Sequence, residues 1–267
     1  MQIQSELECT KKIIISNADR SPKNLGLPYR FPLSLGCTCT MKHKGKAFNA
    51  AAKLIGIAVI LLAVVAVVLT LAGLSRSAAL LASLPLLAGF CAFTLYFFRD
   101  PDPQVPEGDD VFVAPGHGKV DLIDETTENE VLKGRCRRIS IFLSVFDVHV
   151  QQSPVAGRVT FLKHTPGAYL NAMRADCADH NENVLIGFAP TSPRSGNIAV
   201  RLITGLIARR IVPWVSTGDS VAKGERISLI QFGSRVNLYL PLDARVEVKL
   251  GDRVVGGQTV MARWKAV

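Results

Sequence analysis

The sequence lacks the cysteine patterns that crosslink small secreted proteins or hold structural zinc. Its six cysteines are scattered along 267 residues. They are Cys9, Cys37, Cys39, Cys91, Cys136 and Cys177. The Cys37-Thr-Cys39 pair is too close for a structural zinc site, which keeps at least two residues between paired ligands. Cys91 lies in an apolar run. We therefore predict neither a disulfide framework nor a metal site.

Aromatic residues are also few, at 7% of the chain, and no nucleic-acid motif or aromatic-rich basic patch is present. A formal net charge of +9 suits anionic lipid headgroups and nucleic acid about equally. Because the nucleic-acid motifs are missing, we predict no nucleic acid as a partner, and the charge then favours a membrane surface with anionic phospholipid headgroups.

Charged residues are missing from two long stretches, Leu54–Leu74 and Ser77–Phe98, which Ser75 and Arg76 separate. About 20 apolar residues suffice for a helix to cross the hydrocarbon core. Together with a mean hydropathy of +0.26, this predicts an N-terminal two-helix membrane hairpin within residues 41–99. Two alternatives stay open: a pair of buried core helices, or a second helix that does not fully cross.

Lysines precede the first apolar run, and the positive-inside rule holds such clusters in the cytoplasm. They are Lys42, Lys44, Lys46 and Lys53. Two crossings would return the chain to that side at Arg99, so we expect the inner (cytoplasmic) membrane, with the folded domain facing the cytoplasm. Residues 1–40 lack the order of a signal peptide, and we expect them to be disordered or an extension upstream of Met41.

The amino-acid composition changes after the second apolar run. Residues 100–110, rich in Pro, Asp and Gly, read as a linker, and residues 111–267 alternate short β-type runs with turns, which predicts a mainly β domain. "GDxVxxG" occurs at 218–224 and 251–257, and "PxxG[KR]V" at 115–120 and 154–159. Such paired turns resemble the barrel-sandwich fold of biotinyl and lipoyl carrier domains.

A carrier domain presents a modified lysine at a hairpin tip, but here the corresponding position holds Gly233-Ser234. A bulge or tight bend explains a Gly within a strand pattern. Alternatively, the Ser234 hydroxyl attacks the Gly233 carbonyl, and elimination and hydrolysis leave a pyruvoyl group at position 234. A pyruvoyl carbonyl forms a Schiff base with an amine and accepts the electrons that remain when CO₂ leaves.

Serine attack needs a base, and the sequence offers only five histidines. In Asp147-Val148-His149, a strand would place the aspartate and the histidine on one face, as a carboxylate-oriented base requires. An ordinary strand histidine fits this tripeptide equally well.

Longer motifs carry a family resemblance from Met41 to the C-terminus. They are "FFRDPD" (97–102), "FLSVFDVHVQQSPVAGRV" (142–159), "PGAYLNA" (166–172) and a run from 206 to 241 that contains "FGSR". The chain resembles the phosphatidylserine decarboxylase family in its short, membrane-associated bacterial form. The resemblance implies conversion of phosphatidylserine to phosphatidylethanolamine and CO₂ through a pyruvoyl group derived from Ser234. It also implies a β chain ending at Gly233, an α chain from Ser234, and roles for Asp147 and His149.

Three positions depart from the family's pattern. His117 replaces the aspartate of its "PADG" turn, Val184 follows Asn181-Glu182-Asn183 without the arginine of "NERN", and Gln152 stands where long forms carry a second histidine. We retain His149 as the predicted base and interpret His117 and His180 as turn or surface residues.

The substrate contacts are less specific. Tyr169, Leu170 and Asn171 are candidates to shape the pocket, although an inert turn fits them equally well. Arg209 and Arg210 are candidates for the lipid phosphate, against a solvated basic face, because adjacent strand residues point to opposite faces. The further partners are the chain's own two fragments and a second copy. Rival functions are decarboxylation of a related serine-headgroup lipid, and a non-catalytic membrane-tethered lipoyl-like module.

Overall fold

A computed structural model describes residues 42–73, 75–170, 180–191, 196–206, 210–231 and 234–265. The expected segment 1–40 lies outside the described residues. Two helices come first, α1 (Lys46–Leu71) and α2 (Arg76–Phe97). The strands that follow are β1 (Val111–Val113), β2 (Gly118–Glu128), β3 (Gly134–Leu143), β4 (Val150–Gln152), β5 (Gly157–Thr165), β6 (Asn183–Pro190), β7 (Ile198–Thr204), β8 (Arg210–Pro213), β9 (Ser220–Val221), β10 (Arg226–Gln231), β11 (Ser234–Leu240), β12 (Ala244–Val246), β13 (Arg253–Val254) and β14 (Val260–Trp264).

Helix α1 is suited to a bilayer. At about 1.5 Å per residue its 26 residues extend about 39 Å, more than the hydrocarbon core of about 30 Å. Its apolar side chains are exposed, among them Ile60 at 65% and Leu71 at 83%. A buried core helix would hide these side chains, so that alternative does not fit α1.

Helix α2 begins where the Ser75 hydroxyl accepts a hydrogen bond from the Ala78 N–H. Pro85 interrupts the backbone hydrogen bonds within its 22 residues. Both predicted helices are therefore present, but among the described residues α1 alone is long and apolar enough to span a membrane. The two-helix membrane hairpin stays a prediction.

Strand β11 lies inside a curled, eight-stranded antiparallel sheet of order β13-β2-β3-β11-β7-β6-β5-β9. Two three-stranded sheets, β1-β14-β12 and β4-β10-β8, complete the strand pairing. Alternate residues of β11, such as Val236 and Leu238, are fully buried and pack with Ile139 and Ile141 of β3. The prediction of a mainly β domain is confirmed.

The repeated turns form as their sequence predicts. Gly218 and Gly251 adopt left-handed φ angles of 101° and 94°, which glycine reaches without steric cost. The aspartate after each glycine accepts a 2.8 Å hydrogen bond from the backbone N–H three residues before it. Each glycine N–H donates a 2.8 Å bond to the valine carbonyl of the paired element, Val159 or Val120. The two halves of the domain therefore share one local design.

Both helices contact the β domain at the same end. Buried residues from the start of α1 and the end of α2 share one apolar cluster with strand residues. They are Ala47, Ala51, Phe97, Phe98, Val148, Val150 and Leu229. Because both helices meet the domain there, they leave it in the same direction.

An ion pair fixes the chain just after α2. The fully buried Arg226 of β10 binds the Asp100 carboxylate at 2.6 Å and the Asp102 carboxylate at 2.7 Å. Lys44, ahead of α1, contacts Asp102 as well. Since an unpaired buried arginine is costly, these carboxylates hold the helix ends to the domain.

Candidate active site

Ser234 is the first residue of β11 and is fully buried. It pairs with Leu143 of β3 and Thr204 of β7, so both neighbouring strands fix its backbone. Its Oγ atom makes no hydrogen bond to any residue that the structure describes. A buried hydroxyl without a partner is costly, which makes it a candidate for a chemical role. Gly233 lies outside the described residues.

The turn before β2 covers the beginning of β11. A methyl group at Gly116 would lie 3.5 Å from Val236 Cγ2 and 3.8 Å from Leu143 Cδ2. This close approach brings the neighbouring His117 to the end of the sheet where Ser234 lies.

His149 is enclosed in the connection between β3, whose last residue pairs with Ser234, and β4. Its ring is fully buried and stacks on the Phe97 ring with centroids 4.2 Å apart. The His149 carbonyl accepts a 3.1 Å hydrogen bond from Ile230, near the end of β10 and shortly before Ser234 in the chain. Its Nδ1 lies 2.9 Å from the Asp147 backbone carbonyl. A carbonyl can only accept, so Nδ1 carries the proton and Nε2 has the basic lone pair.

Burial lowers the pKa of His149 to about 4, because the enclosed site disfavours the charged ring. The Asp147 carbonyl and carboxylate act in the opposite direction, and the charge of Arg99 lowers the pKa further. His149 is therefore a neutral imidazole throughout the physiological pH range.

Asp147 and His149 do not share a strand face, because β4 begins only at Val150. Asp147 lies in the turn after β3, where its carboxylate accepts 2.8 Å hydrogen bonds from the Ser144 backbone N–H and hydroxyl. Its other oxygen lies 3.3 Å from Arg253. The geometric premise from the sequence was wrong: Asp147 contacts the imidazole through its backbone carbonyl, and its carboxylate closes the turn.

His117 belongs to the same neighbourhood. Burial lowers its pKa to about 4, opposed by the charge of Asp147 and reinforced by that of Arg99. A methyl group at Gly256 would lie 2.9 Å from His117 Cδ2 and would collide with Gln152 Oε1. The Gln152 oxygen is buried and has no hydrogen-bond partner among the described residues. Two of the three departures from the family's pattern, His117 and Gln152, thus meet at this end of the domain.

The remaining predicted residues are more dispersed. The Tyr169 hydroxyl donates a 2.7 Å hydrogen bond to Glu182, and the Leu170 N–H donates to Asn181. Arg210 is exposed at the start of β8, opposite Gln231. Asn171 and Arg209 lie outside the described residues, and His180 is exposed.

Sequence reasoning missed the contribution of helix α2. Phe97 stacks on His149, and Arg99 lies within electrostatic range of both buried histidines. Both residues belong to the "FFRDPD" motif at the end of the apolar run, so the motif is visible in the sequence. Its role is not, because that role depends on how the helix packs against the β domain.

The phosphatidylserine decarboxylase family model matches residues 90–262. The phosphatidylserine decarboxylase proenzyme of Desulfotalea psychrophila is 42% identical over 172 residues, which cover 64% of this chain and 79% of the relative. The proenzyme of Symbiobacterium thermophilum is 43% identical over 177 residues, or 66% of this chain and 81% of the relative. The range matched by the family model contains Asp147, His149 and Ser234.

Proposed function

Because the chain belongs to the phosphatidylserine decarboxylase family, we propose that it cuts itself between Gly233 and Ser234 and carries the pyruvoyl group at residue 234. Its reaction converts phosphatidylserine to phosphatidylethanolamine and CO₂. The observation that carries the site assignment is the buried Ser234 hydroxyl, which has no partner among the described residues and stands at the first position of β11.

Self-cleavage begins when Ser234 Oγ attacks the Gly233 carbonyl carbon. The amide C–N bond breaks, an ester forms, and residue 234 gains a free amine. Loss of the α-proton then expels the Gly233 carboxylate and leaves a dehydroalanine. Addition of water and loss of ammonia complete the pyruvoyl group, which blocks the new N-terminus.

His149 is the proposed base for this sequence. Nδ1 is committed to the Asp147 carbonyl, which fixes the ring and leaves Nε2 as the basic nitrogen. A low pKa keeps that nitrogen unprotonated before each step. Asp147 is a positioning residue, since its carboxylate closes the turn that aims the carbonyl.

The surroundings of Ser234 fit a pyruvoyl group, because a small carbonyl replaces a buried hydroxyl that has no hydrogen bond to the described residues. When present, this group supplies an electrophile for the headgroup amine and takes up the electrons released with CO₂. The chain's own residues position it: Leu143 and Thr204 pair with residue 234 on either side. The ordered strand thereby limits the conformations open to the group.

The membrane arrangement is part of the proposal. The start of α1 and the end of α2 pack on one side of the β domain, as expected when a hairpin enters and leaves the same face of the bilayer. With lysines ahead of α1, we place the catalytic domain (111–267) on the cytoplasmic side of the inner membrane, joined to the anchor (41–99) by the linker 100–110. The paired turns support a barrel-sandwich of the biotinyl and lipoyl type for that domain.

Intact-mass measurement of the full chain purified from membranes tests the cleavage. We expect two fragments, the shorter comprising the 34 residues from Ser234 to Val267, with an N-terminus that resists Edman degradation until it is reductively aminated. Ser234→Ala removes the attacking oxygen, so it should abolish both cutting and CO₂ release. Recovery of only the uncut wild-type chain, or cutting of the Ser234→Ala variant, would contradict the assignment.

A further inference from the structure

Arg99 is a cation at the point where the apolar helix α2 ends. The aromatic residues of the preceding turns, Phe93 and Tyr96, are 40% and 49% exposed, as suits side chains that face lipid. Aromatic side chains followed by a basic residue are typical of the boundary between hydrocarbon and headgroups. Arg99 is therefore placed at the depth of lipid phosphates.

The guanidinium of Arg99 is held in one position. Its two terminal nitrogens donate to the Tyr96 carbonyl at 2.8 Å and to the Phe146 carbonyl at 2.5 Å. Its central carbon lies 4.0 Å from the centroid of the Tyr96 ring. These contacts use only two of the five N–H donors, so the planar fork of the guanidinium keeps donors for an anion.

Arg99 also differs from the paired arginines of the domain. Arg138, Arg226 and Arg235 each bind an aspartate within 2.7 Å. No carboxylate among the described residues forms an ion pair with Arg99, although its guanidinium is ordered. Its charge is therefore available to a partner that comes from outside the protein.

The proposed reaction centre adjoins this cation. Phe97, two residues before Arg99, stacks on His149, and Phe146 belongs to the turn that leads into His149. In phosphatidylserine the phosphorus is separated from the reactive amine by one oxygen and two carbons. A phosphate bound at Arg99 would thus leave the headgroup close to the enclosed base.

We propose that Arg99 binds the phosphodiester of the lipid substrate and so positions the serine headgroup for decarboxylation at residue 234. This assignment rests on the function proposed above. It gives α2 a second role, since the helix brings a phosphate-binding group to the active site at headgroup depth.

Arg210, one of the two arginines that the sequence suggested for the phosphate, has weaker support. It is exposed on β8, and no described residue fixes its guanidinium. An arginine whose fork is already oriented loses less entropy when it binds phosphate, which favours Arg99.

The test compares full-length Arg99→Gln and Arg99→Lys with wild type in detergent micelles that contain phosphatidylserine at varied mole fraction. Arg245→Gln is the matched control, because it removes the same charge from a side chain that is 73% exposed on β12, away from the helices. Cutting is followed on gels, and CO₂ release gives kcat and the interfacial KM of the matured fraction.

For Arg99→Gln we expect normal cutting, little change in kcat and a roughly tenfold to hundredfold rise in interfacial KM, the size of a lost charge-assisted hydrogen-bond pair. Arg99→Lys should fall between, since a point charge lacks the fork. A fall in kcat or in cutting at unchanged KM would mean that Arg99 only holds the turn in place, and would overturn the proposal. An absence of change in both kcat and KM would overturn it as well.

Binding to bulk lipid is separated from binding to substrate by sedimentation with phosphatidylglycerol vesicles. We expect Arg99→Gln and Arg245→Gln to bind these vesicles equally well. Selective loss of vesicle binding by Arg99→Gln at unchanged interfacial KM would assign Arg99 to the bilayer surface and overturn its role in the site. Failure of the wild-type chain to release CO₂ would reject the function itself, and is distinct from any difference between variants.

Discussion

At His149, burial has a larger effect on protonation than neighbouring charge does. The unfolded chain takes up a proton at this residue near pH 6.5, whereas the folded site stays neutral until about pH 4. The unfolded state therefore binds more protons between these values. The contribution of His149 to the free energy of unfolding is complete above pH 6.5 and is lost as the pH falls towards 4.

The first prediction concerns the pH dependence of self-cleavage. If His149 is the base, the rate at which newly synthesised precursor is cut should change little between pH 7 and pH 5, because the imidazole stays neutral. For an exposed histidine of ordinary pKa, the neutral fraction would fall about twenty-fivefold over that range. The measurement is the appearance of the short fragment on gels at each pH.

His149→Ala is the companion variant and should leave the precursor uncut at every pH. A rate that falls with a midpoint near pH 6.5, or normal cutting by His149→Ala, would transfer the role of the base to another histidine. His117 would then be the next candidate, because it is also largely buried at this end of the domain.

The second prediction concerns Asp147. Its carboxylate binds Ser144 and its carbonyl binds His149, so Asp147→Asn keeps the carbonyl and weakens only the closure of the turn. We expect cutting to slow by about tenfold, the effect of about 1.4 kcal/mol, with an unchanged pH profile. Ser144→Ala should have a similar effect. Complete loss of cutting in Asp147→Asn would show that the carboxylate acts directly in the chemistry.

At the scale of elements, α2 forms one wall of the proposed active site. The fully buried Phe97 ring stacks on His149, whereas Phe90, two turns earlier, is 42% exposed. Removing the inner ring would open the imidazole to water, which reverses the main cause of its low pKa.

The third prediction follows from this wall. Phe97→Ala should raise the pKa of His149 towards its ordinary value, so that cutting slows as the pH falls from 7 to 5. It should also destabilise the precursor by about 3–5 kcal/mol, the usual cost of deleting a buried phenyl ring. Phe90→Ala is the matched control, with no change in pH profile. The measurements are the pH profile of cutting and the denaturant midpoint of each variant. For the denaturant midpoints, each variant is combined with Ser234→Ala, so that the precursor stays uncut.

Elements governed by short-range rules could be predicted from the sequence, and those governed by distant contacts could not. The glycine turns at Gly218 and Gly251 were predicted because φ and a local aspartate determine them. The strand proposed for Asp147 to His149 failed, because an alternating pattern does not reveal that a side chain closes a turn. The stacking of Phe97 on His149 joins residues far apart in the chain, and no local pattern encodes it.

At the scale of the whole molecule, the two helices and the β domain are structurally coupled. The apolar cluster that joins the helices to the strands includes Phe97, Phe98, Val148 and Val150. Arg226 binds the chain just beyond it through Asp100. Shortening the chain to remove the anchor therefore also uncovers one side of the proposed site.

The fourth prediction compares two deletions. Removal of residues 1–40 should leave cutting and lipid decarboxylation unchanged, since the anchor begins after them. Removal of residues 1–98 should slow cutting, because Phe97 is lost, and should reduce activity on vesicles more than activity on detergent-dispersed substrate. Added salt should weaken the activity on vesicles that remains. Equal activity of the shorter chain on both forms of substrate would show that the helices do not present the domain to lipid.

The inner position of β11 in the eight-stranded sheet has a further consequence. Its partners on either side, β3 and β7, precede the proposed cut, whereas β11 follows it. The precursor folds as one chain, but the matured protein becomes a two-part complex whose short chain supplies an inner strand. Once unfolded, the parts must find each other again at a rate that depends on concentration. After maturation, reversible folding of a single chain no longer restores the enzyme. Its lifetime is therefore set by how slowly the complex that formed at the first folding unfolds.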